Sequence, residues 1–226
     1  MSLSSATQVM STPELLEQIL AALPMRDLLV NAPLVSRTWR AITLLSTIQQ
    51  ALFFQPAPSI SPRVLNPLLS ESFPPFFASY DKKGWESSVE TIMRMPWSKA
   101  PDAFRRREAS WRRMLVRQPP AQSLVVKQTS GGMAGSYDRE GALKDPSLSM
   151  AVLYDLTLQF VDGDTSFHFM WHDESAAEGD LTLNVSTGVG CESDGERIEK
   201  KYFSDAANFV KVSFGEWEGD EISRFY

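Results

Sequence analysis

Residues 11–42 read STPELLEQILAALPMRDLLVNAPLVSRTWRAI, and the punctuation of this stretch sets three short helices in a row. Ser11-Thr12-Pro13-Glu14 is a start signal: a hydroxyl that can cap, a proline at or near the first helical position, and an acid in the first turn. Leu15, Leu16, Ile19, Leu20 and Leu23 follow at three- and four-residue spacing, which makes one face apolar. Pro24 ends this helix, because the residue before a proline avoids helical geometry. Asp27 is placed to cap a second helix bearing Leu28 and Leu29. Pro33 would remove a hydrogen bond inside that helix and therefore opens a third. This third helix is expected to carry Leu34 or Val35, Trp39 and Ile42 on one side, with Arg37 and Arg40 turned outward. Helices this short are marginal in water, so part of their apolar surface has to meet the rest of the chain or a partner.

Beyond this module the composition changes. Ten of the fourteen prolines lie between Pro56 and Pro120, a density that excludes long helices and interior strands. Phe73, Phe76, Phe77, Tyr80 and Trp85 fall in the same stretch and are too many aromatics for a solvated linker, so it is expected to pack across both halves. A basic helix is predicted over Pro101–Arg117, with Phe104, Trp111 and Leu115 on one stripe. After Pro120 the signals are strands. Ser123–Lys127 is short and β-branched, and Phe167, Phe169 and Trp171 alternate with His168, Met170 and His172. Leu181, Leu183 and Val185 alternate again, and Phe209–Phe214 is a further candidate. Asp145-Pro146-Ser147 could cap a helix carrying Leu148, Val152 and Leu156, although Leu156, Leu158 and Phe160 also alternate as in a strand. The expected fold class is α+β: three N-terminal helices, a mixed helical region, and a small antiparallel sheet of four or so strands with a packed helix. The divisions fall at residues 9–55, 56–120 and 121–226.

The chain has 226 residues, 43% apolar and 22% charged, enough for a sizeable core and typical of globular composition. A single cysteine, Cys191, cannot form an internal disulfide and suits a reducing compartment. The first ten residues, MSLSSATQVM, lack the basic and apolar blocks of a signal peptide, and no stretch approaches a membrane span. Cytoplasmic and/or nuclear residence is the expectation. The net charge of −6 is unevenly spread: Arg94 to Arg117 holds eight bases against two acids, while Tyr137 onward holds nineteen acids against seven bases. The arginines are therefore expected to serve the chain's own acidic half and not nucleic acid.

Catalytic patterns are weak. His168 and His172 with Asp173, Glu174 and Cys191 are the nearest approach to a metal cluster, but residues four apart on a strand stand about 13 Å apart, too far for one zinc. Gly131-Gly132 lacks the Lys-Ser/Thr ending of a phosphate loop, and Gly188-Val189-Gly190 lacks the third glycine of a dinucleotide fingerprint. No Gly-x-Ser-x-Gly elbow occurs. The expectation is no catalytic residue, no metal and no cofactor.

The order Pro13-Glu14-Leu15-Leu16, Ile19-Leu20, Leu23-Pro24, Asp27-Leu28-Leu29 and Val35-Ser36-Arg37-Thr38-Trp39-Arg40 resembles the F-box. The wording is most similar to small F-box proteins of filamentous fungi, and the likeness continues in Ala51–Pro56, Asn66–Leu69, Phe73–Phe77 and Arg106–Leu115. The family's usual Leu-Pro opening falls on Ser11-Thr12 here. The resemblance implies a non-catalytic substrate receptor. Its N-terminal helices would hold the SKP-type adaptor of an SCF-type cullin–RING ubiquitin ligase, and its C-terminal region would recruit a protein target. The alternative is a structural or regulatory partner of the adaptor that works outside the ligase. Pro13, Leu15, Leu16, Ile19, Leu20, Leu23, Leu28, Val35 and Trp39 are the expected adaptor-binding residues with their supporting core.

Overall fold

The structure, a computed structural model, describes residues 12–58, 62–78, 87–88, 95, 106–132, 135–144, 148–160, 165–172, 180–188 and 218–223. Its N-terminal part is a run of short helices: α1 (Pro13–Ala21), α2 (Met25–Val30), α3 (Ala32–Val35), α4 (Arg37–Ile42) and α5 (Ser46–Ala51). Pro13 and Pro33 sit in the first turns of α1 and α3, where a missing N–H costs nothing. Asp27 is not the cap of α2; Pro24 precedes the helix, and the Asp27 carboxylate accepts from Asn31 Nδ2 at 2.7 Å. The expected third helix is broken at Ser36, whose extended backbone separates α3 from α4 and whose Oγ accepts the Trp39 N–H at 3.1 Å. That break undoes the shared face: Ile42 is buried, whereas Leu34 and Val35 are exposed. Arg37 and Arg40 are exposed, as expected.

Leu16, Leu20, Leu28, Ala32, Ile42, Ile48 and Leu52 form the core of these helices. Met25, Leu29 and Phe54 touch both this core and the larger one, so the two hydrophobic clusters share a boundary. The connecting segment contributes its buried residues to the larger of them, Leu69, Phe73, Phe76 and Phe77 among them. A two-stranded ribbon pairs β1 (Val64–Leu65) with β3 (Arg117–Gln118), followed in sequence from β1 by α6 (Pro67–Ser72) and α7 (Pro74–Phe77). Asn66 is fully buried and caps α6 by accepting the Leu68 and Leu69 N–H groups, while its Nδ2 donates to the Leu115 carbonyl. Phe73, Phe76 and Phe77 are all buried in the main core and none belongs to the N-terminal cluster, so the described aromatics of this stretch pack on one half and not across both. Tyr80 and Trp85 lie outside the described residues.

The predicted basic helix over Pro101–Arg117 needs correction. Among the described residues only α8 (Ser110–Arg113) is helical, and the chain from Met114 onward is extended. Tertiary hydrogen bonds draw this stretch out of helical geometry: the Leu115 N–H reaches the Phe53 carbonyl at 2.7 Å, the Val116 carbonyl accepts from Asn66, and the Met114 carbonyl accepts from Met150. Phe53 presents its carbonyl from a left-handed backbone with φ of 60°, strained for a bulky residue. Gln118 Nε2 donates to the Gln50 and Gln55 carbonyls, pinning the same stretch to the end of α5.

The C-terminal half holds a sheet in the order β2-β6-β7-β4-β5-β8: β2 (Ser87–Ser88), β4 (Ser123–Gly132), β5 (Gly135–Lys144), β6 (Thr165–Trp171), β7 (Leu181–Gly188) and β8 (Glu218–Ser223). The α+β class holds, but the sheet is larger than expected and not wholly antiparallel: β4 and β7 run parallel with Leu124 opposite Leu181. The reason is topological. Two antiparallel hairpins, β4–β5 and β6–β7, lie side by side so that β5 and β6 point the same way, and such a connection needs a crossover. Helix α9 (Met150–Phe160) supplies it, which resolves the helix-or-strand ambiguity in favour of helix. Leu124, Val126, Phe167, Phe169, Leu181, Leu183 and Val185 pack with Met150, Leu153 and Leu156 in the main core. The expected strand Phe209–Phe214 and the cap at 145–147 lie outside the described residues.

The arginine-rich segment does meet the acidic half, through residues other than those on the turn before it. Arg112 makes a two-pronged pair with Asp155 of α9, Nη1 to Oδ1 at 3.0 Å, and both side chains are buried. Arg117 and Arg63 converge on Asp180 at the start of β7, and the Gln122 N–H donates to the same carboxylate at 2.8 Å. Burial alone would raise the Asp180 carboxyl, but the Gln122 and Arg117 hydrogen bonds and the charges of Arg117 and Arg63 outweigh it and hold the group below its ordinary value of 3.8. A carboxyl depressed on folding stabilises the fold above its ordinary value and loses that contribution as pH falls through the lower, folded value. Stability measured by urea titration should therefore decline on acidification below about pH 4, and Asp180→Asn should be weaker at pH 7 with a flatter acid limb. An acid limb unchanged by Asp180→Asn would remove the group from this role.

Candidate docking surface on the N-terminal helices

The apolar stripe of α1 is wider than its core contact. Leu16 and Leu20, four residues apart, are fully buried, while Leu15 and Ile19, one position earlier and so rotated by about 100°, are left open. The same division runs through the next helices. Leu28 and Ala32 point into the core, but Val30, Leu34 and Val35 do not; Leu34 is 80% exposed and Val35 58%. Leu44 and Leu45 stand out from the turn between α4 and α5, with Leu44 at 68%. That turn is fixed by its own backbone: the Leu44 N–H donates to Ala41, the Leu45 N–H to Ile42, and Gln49 Nε2 to the Thr43 carbonyl at 2.7 Å.

Among the described residues nine large apolar side chains are exposed, and seven of them fall between Leu15 and Leu45. Isolated exposed apolar residues are ordinary on any surface; here seven of the nine are concentrated in one stretch of the chain, 15–45. Glu17 is bonded to Thr47, and Arg26 of α2 pairs with Glu71 of α6 at 3.2 Å.

The nine residues named from the sequence thus separate into three groups. Pro13, Leu15, Ile19 and Val35 are exposed; Leu16, Leu20 and Leu28 are buried in the helical core; Leu23 and Trp39 are half-buried against it. The structure adds Val30, Leu34, Leu44 and Leu45 to the exposed set. Leu44-Leu45 was visible in principle as an apolar pair in a turn, where polar residues are the rule.

His172 Nε2 lies 2.8 Å from Thr182 Oγ1, and the His172 backbone ties Arg63 and Asp180 together. Asp173, Glu174 and Cys191 lie outside the described residues. Among the described residues no group of three or more His, Cys, Asp or Glu could hold a metal ion. No helix among them is long and apolar enough to cross a membrane. No family model, curated protein or solved structure matches this chain.

Proposed function

We propose that the chain is a non-catalytic substrate receptor of an SCF-type cullin–RING ubiquitin ligase, with the N-terminal helices as its adaptor-docking module. The observation that carries the reading is the coincidence of two independent features on one segment. The F-box-like order of proline, aspartate and tryptophan residues spans 13–40, and seven exposed large apolar side chains lie between Leu15 and Leu45. Fully burying an exposed leucine or valine contributes about 1.5–3 kcal/mol, with less from Leu15 and Ile19, which are already more than half buried. Leu15, Ile19, Leu34 and Val35 then contact the SKP-type adaptor, and Leu16, Leu20 and Leu28 hold the helices that present them. The acidic α+β half recruits the target, and proximity does the rest: a tethered target meets the charged conjugating enzyme at raised effective concentration.

The test is affinity purification of the tagged chain from a filamentous fungus with the proteasome blocked. The expected result is co-recovery of adaptor, cullin and at least one ubiquitin-conjugated client whose abundance rises when the chain is deleted. Recovery of the adaptor without cullin or client would favour a regulatory partner outside the ligase and overturn the receptor reading.

A further inference from the structure

A hydroxyl three residues after an arginine is the minimal substrate pattern of basophilic protein kinases, whose acidic pockets grip the arginine by charge-assisted hydrogen bonds. The chain contains this spacing twice, at Arg40…Thr43 and Arg107…Ser110. The structure separates them. Thr43 is buried and its Oγ1 donates to the Arg40 carbonyl at 2.8 Å, so it is closed to an enzyme. Ser110 is half-exposed and follows a turn in which Arg106, Arg107 and Glu108 are all exposed, with Ala109 extended. Lifting residues 106–110 into a kinase cleft withdraws no core side chain. We propose that Ser110 is a phosphoacceptor site for a basophilic serine kinase, and that its phosphate is captured by Arg113.

In the transfer, Ser110 Oγ forms a bond to the γ-phosphorus of ATP as the bond to the β-phosphate oxygen breaks; ADP leaves and the hydroxyl proton passes to the kinase's base. The product adds about −1.5 to −2 charges at neutral pH. Arg113 lies three residues on within α8 and so shares a face with Ser110. Neither Arg107 nor Arg113 meets a carboxylate among the described residues. Arg113 instead rests over the Phe54 ring at 5.2 Å. A phosphate at Ser110 outbids a ring face for a guanidinium. Phosphorylation therefore takes Arg113 off Phe54, a residue that touches both hydrophobic cores, and loosens the seat of the N-terminal helices.

The experiment treats the full chain, and separately a peptide of residues 104–113, with ATP and a kinase of the arginine-at-minus-three class, followed by site mapping and amide hydrogen exchange. The expected result is stoichiometric phosphate on Ser110, none in Ser110→Ala, a rate at least about tenfold lower in Arg107→Ala, and faster exchange at residues 53–55. Unphosphorylated Arg113→Ala should show the same faster exchange. A peptide left unmodified overturns the recognition; a modified peptide with unmodified full chain overturns the accessibility. Full phosphorylation with unchanged exchange at 53–55 overturns the capture by Arg113.

Discussion

Asp155→Ala should lower the free energy of unfolding by about 3–5 kcal/mol, because it leaves the Arg112 guanidinium charged and buried without its partner. The Arg112 side chain is 9% exposed and its guanidinium lies over the Trp111 ring at 5.3 Å, so the stranded group stays in the protein interior. Arg112→Ala should cost a similar amount by stranding the carboxylate. The pair itself need not be stabilising relative to apolar packing, so Arg112→Met combined with Asp155→Leu should recover most of the loss. Urea unfolding of wild type, the two alanine variants and Arg112→Ala/Asp155→Ala together gives the coupling directly, with the Met/Leu variant as the apolar reference. Single variants within about 1 kcal/mol of wild type would mean that the pair is wetted and that α8 is not anchored to α9 through it. The wider consequence concerns the arginine-rich segment. Reversing Arg106 or Arg113, both exposed, should matter far less than touching Arg112 or Arg117.

Leu34→Asp with Val35→Asp should reduce adaptor affinity by about a hundredfold or more, while leaving the far-UV spectrum and melting temperature close to wild type. Both side chains are mostly in solvent, so the free chain loses little: exposed substitutions commonly fall within about 0.5 kcal/mol. The complex loses the burial of two apolar groups, about 1.5–3 kcal/mol each, and must desolvate two carboxylates as well. Leu16→Ala separates the two roles of the segment. Its side chain is fully buried in the helical core, and truncation should cost about 2–5 kcal/mol of stability, with any binding loss following from unfolding. Trp39, half-buried, belongs with Leu16 more than with Leu34. If the aspartate pair binds the adaptor as tightly as wild type, the exposed face of α3 is not the docking surface.

What was legible in the sequence follows from what periodicity can report. Phe167, Phe169 and Trp171 alternate with His168, Met170 and His172 because one face of β6 is buried, and both phenylalanines lie in the main core. Strand β5 escaped notice because 135–144 reads GSYDREGALK, a charged hairpin partner with little apolar alternation of its own. The parallel β4–β7 contact was out of reach, since neither strand's pattern encodes which neighbour it meets. Phe104, Trp111 and Leu115 kept helical spacing, yet the hydrogen bonds of 114–118 went to Phe53, Asn66, Gln50 and Leu148, and long-range partners overrode local propensity. The candidate site shows the same limit. Leu15 and Leu16 are equivalent by composition and differ only in which side of α1 meets Leu28 and Ile48, a fact of packing that no window of sequence contains.

The most direct measurement is a calorimetric titration of recombinant SKP-type adaptor into the full-length chain, with a shortened chain beginning after Pro58 as reference. The account predicts a saturable one-to-one complex with the full chain and a negative heat-capacity change from apolar burial, and no heat of binding to the shortened chain. Equal binding by both chains, or none by the full chain, would contradict the assignment of the N-terminal helices as an adaptor-docking module.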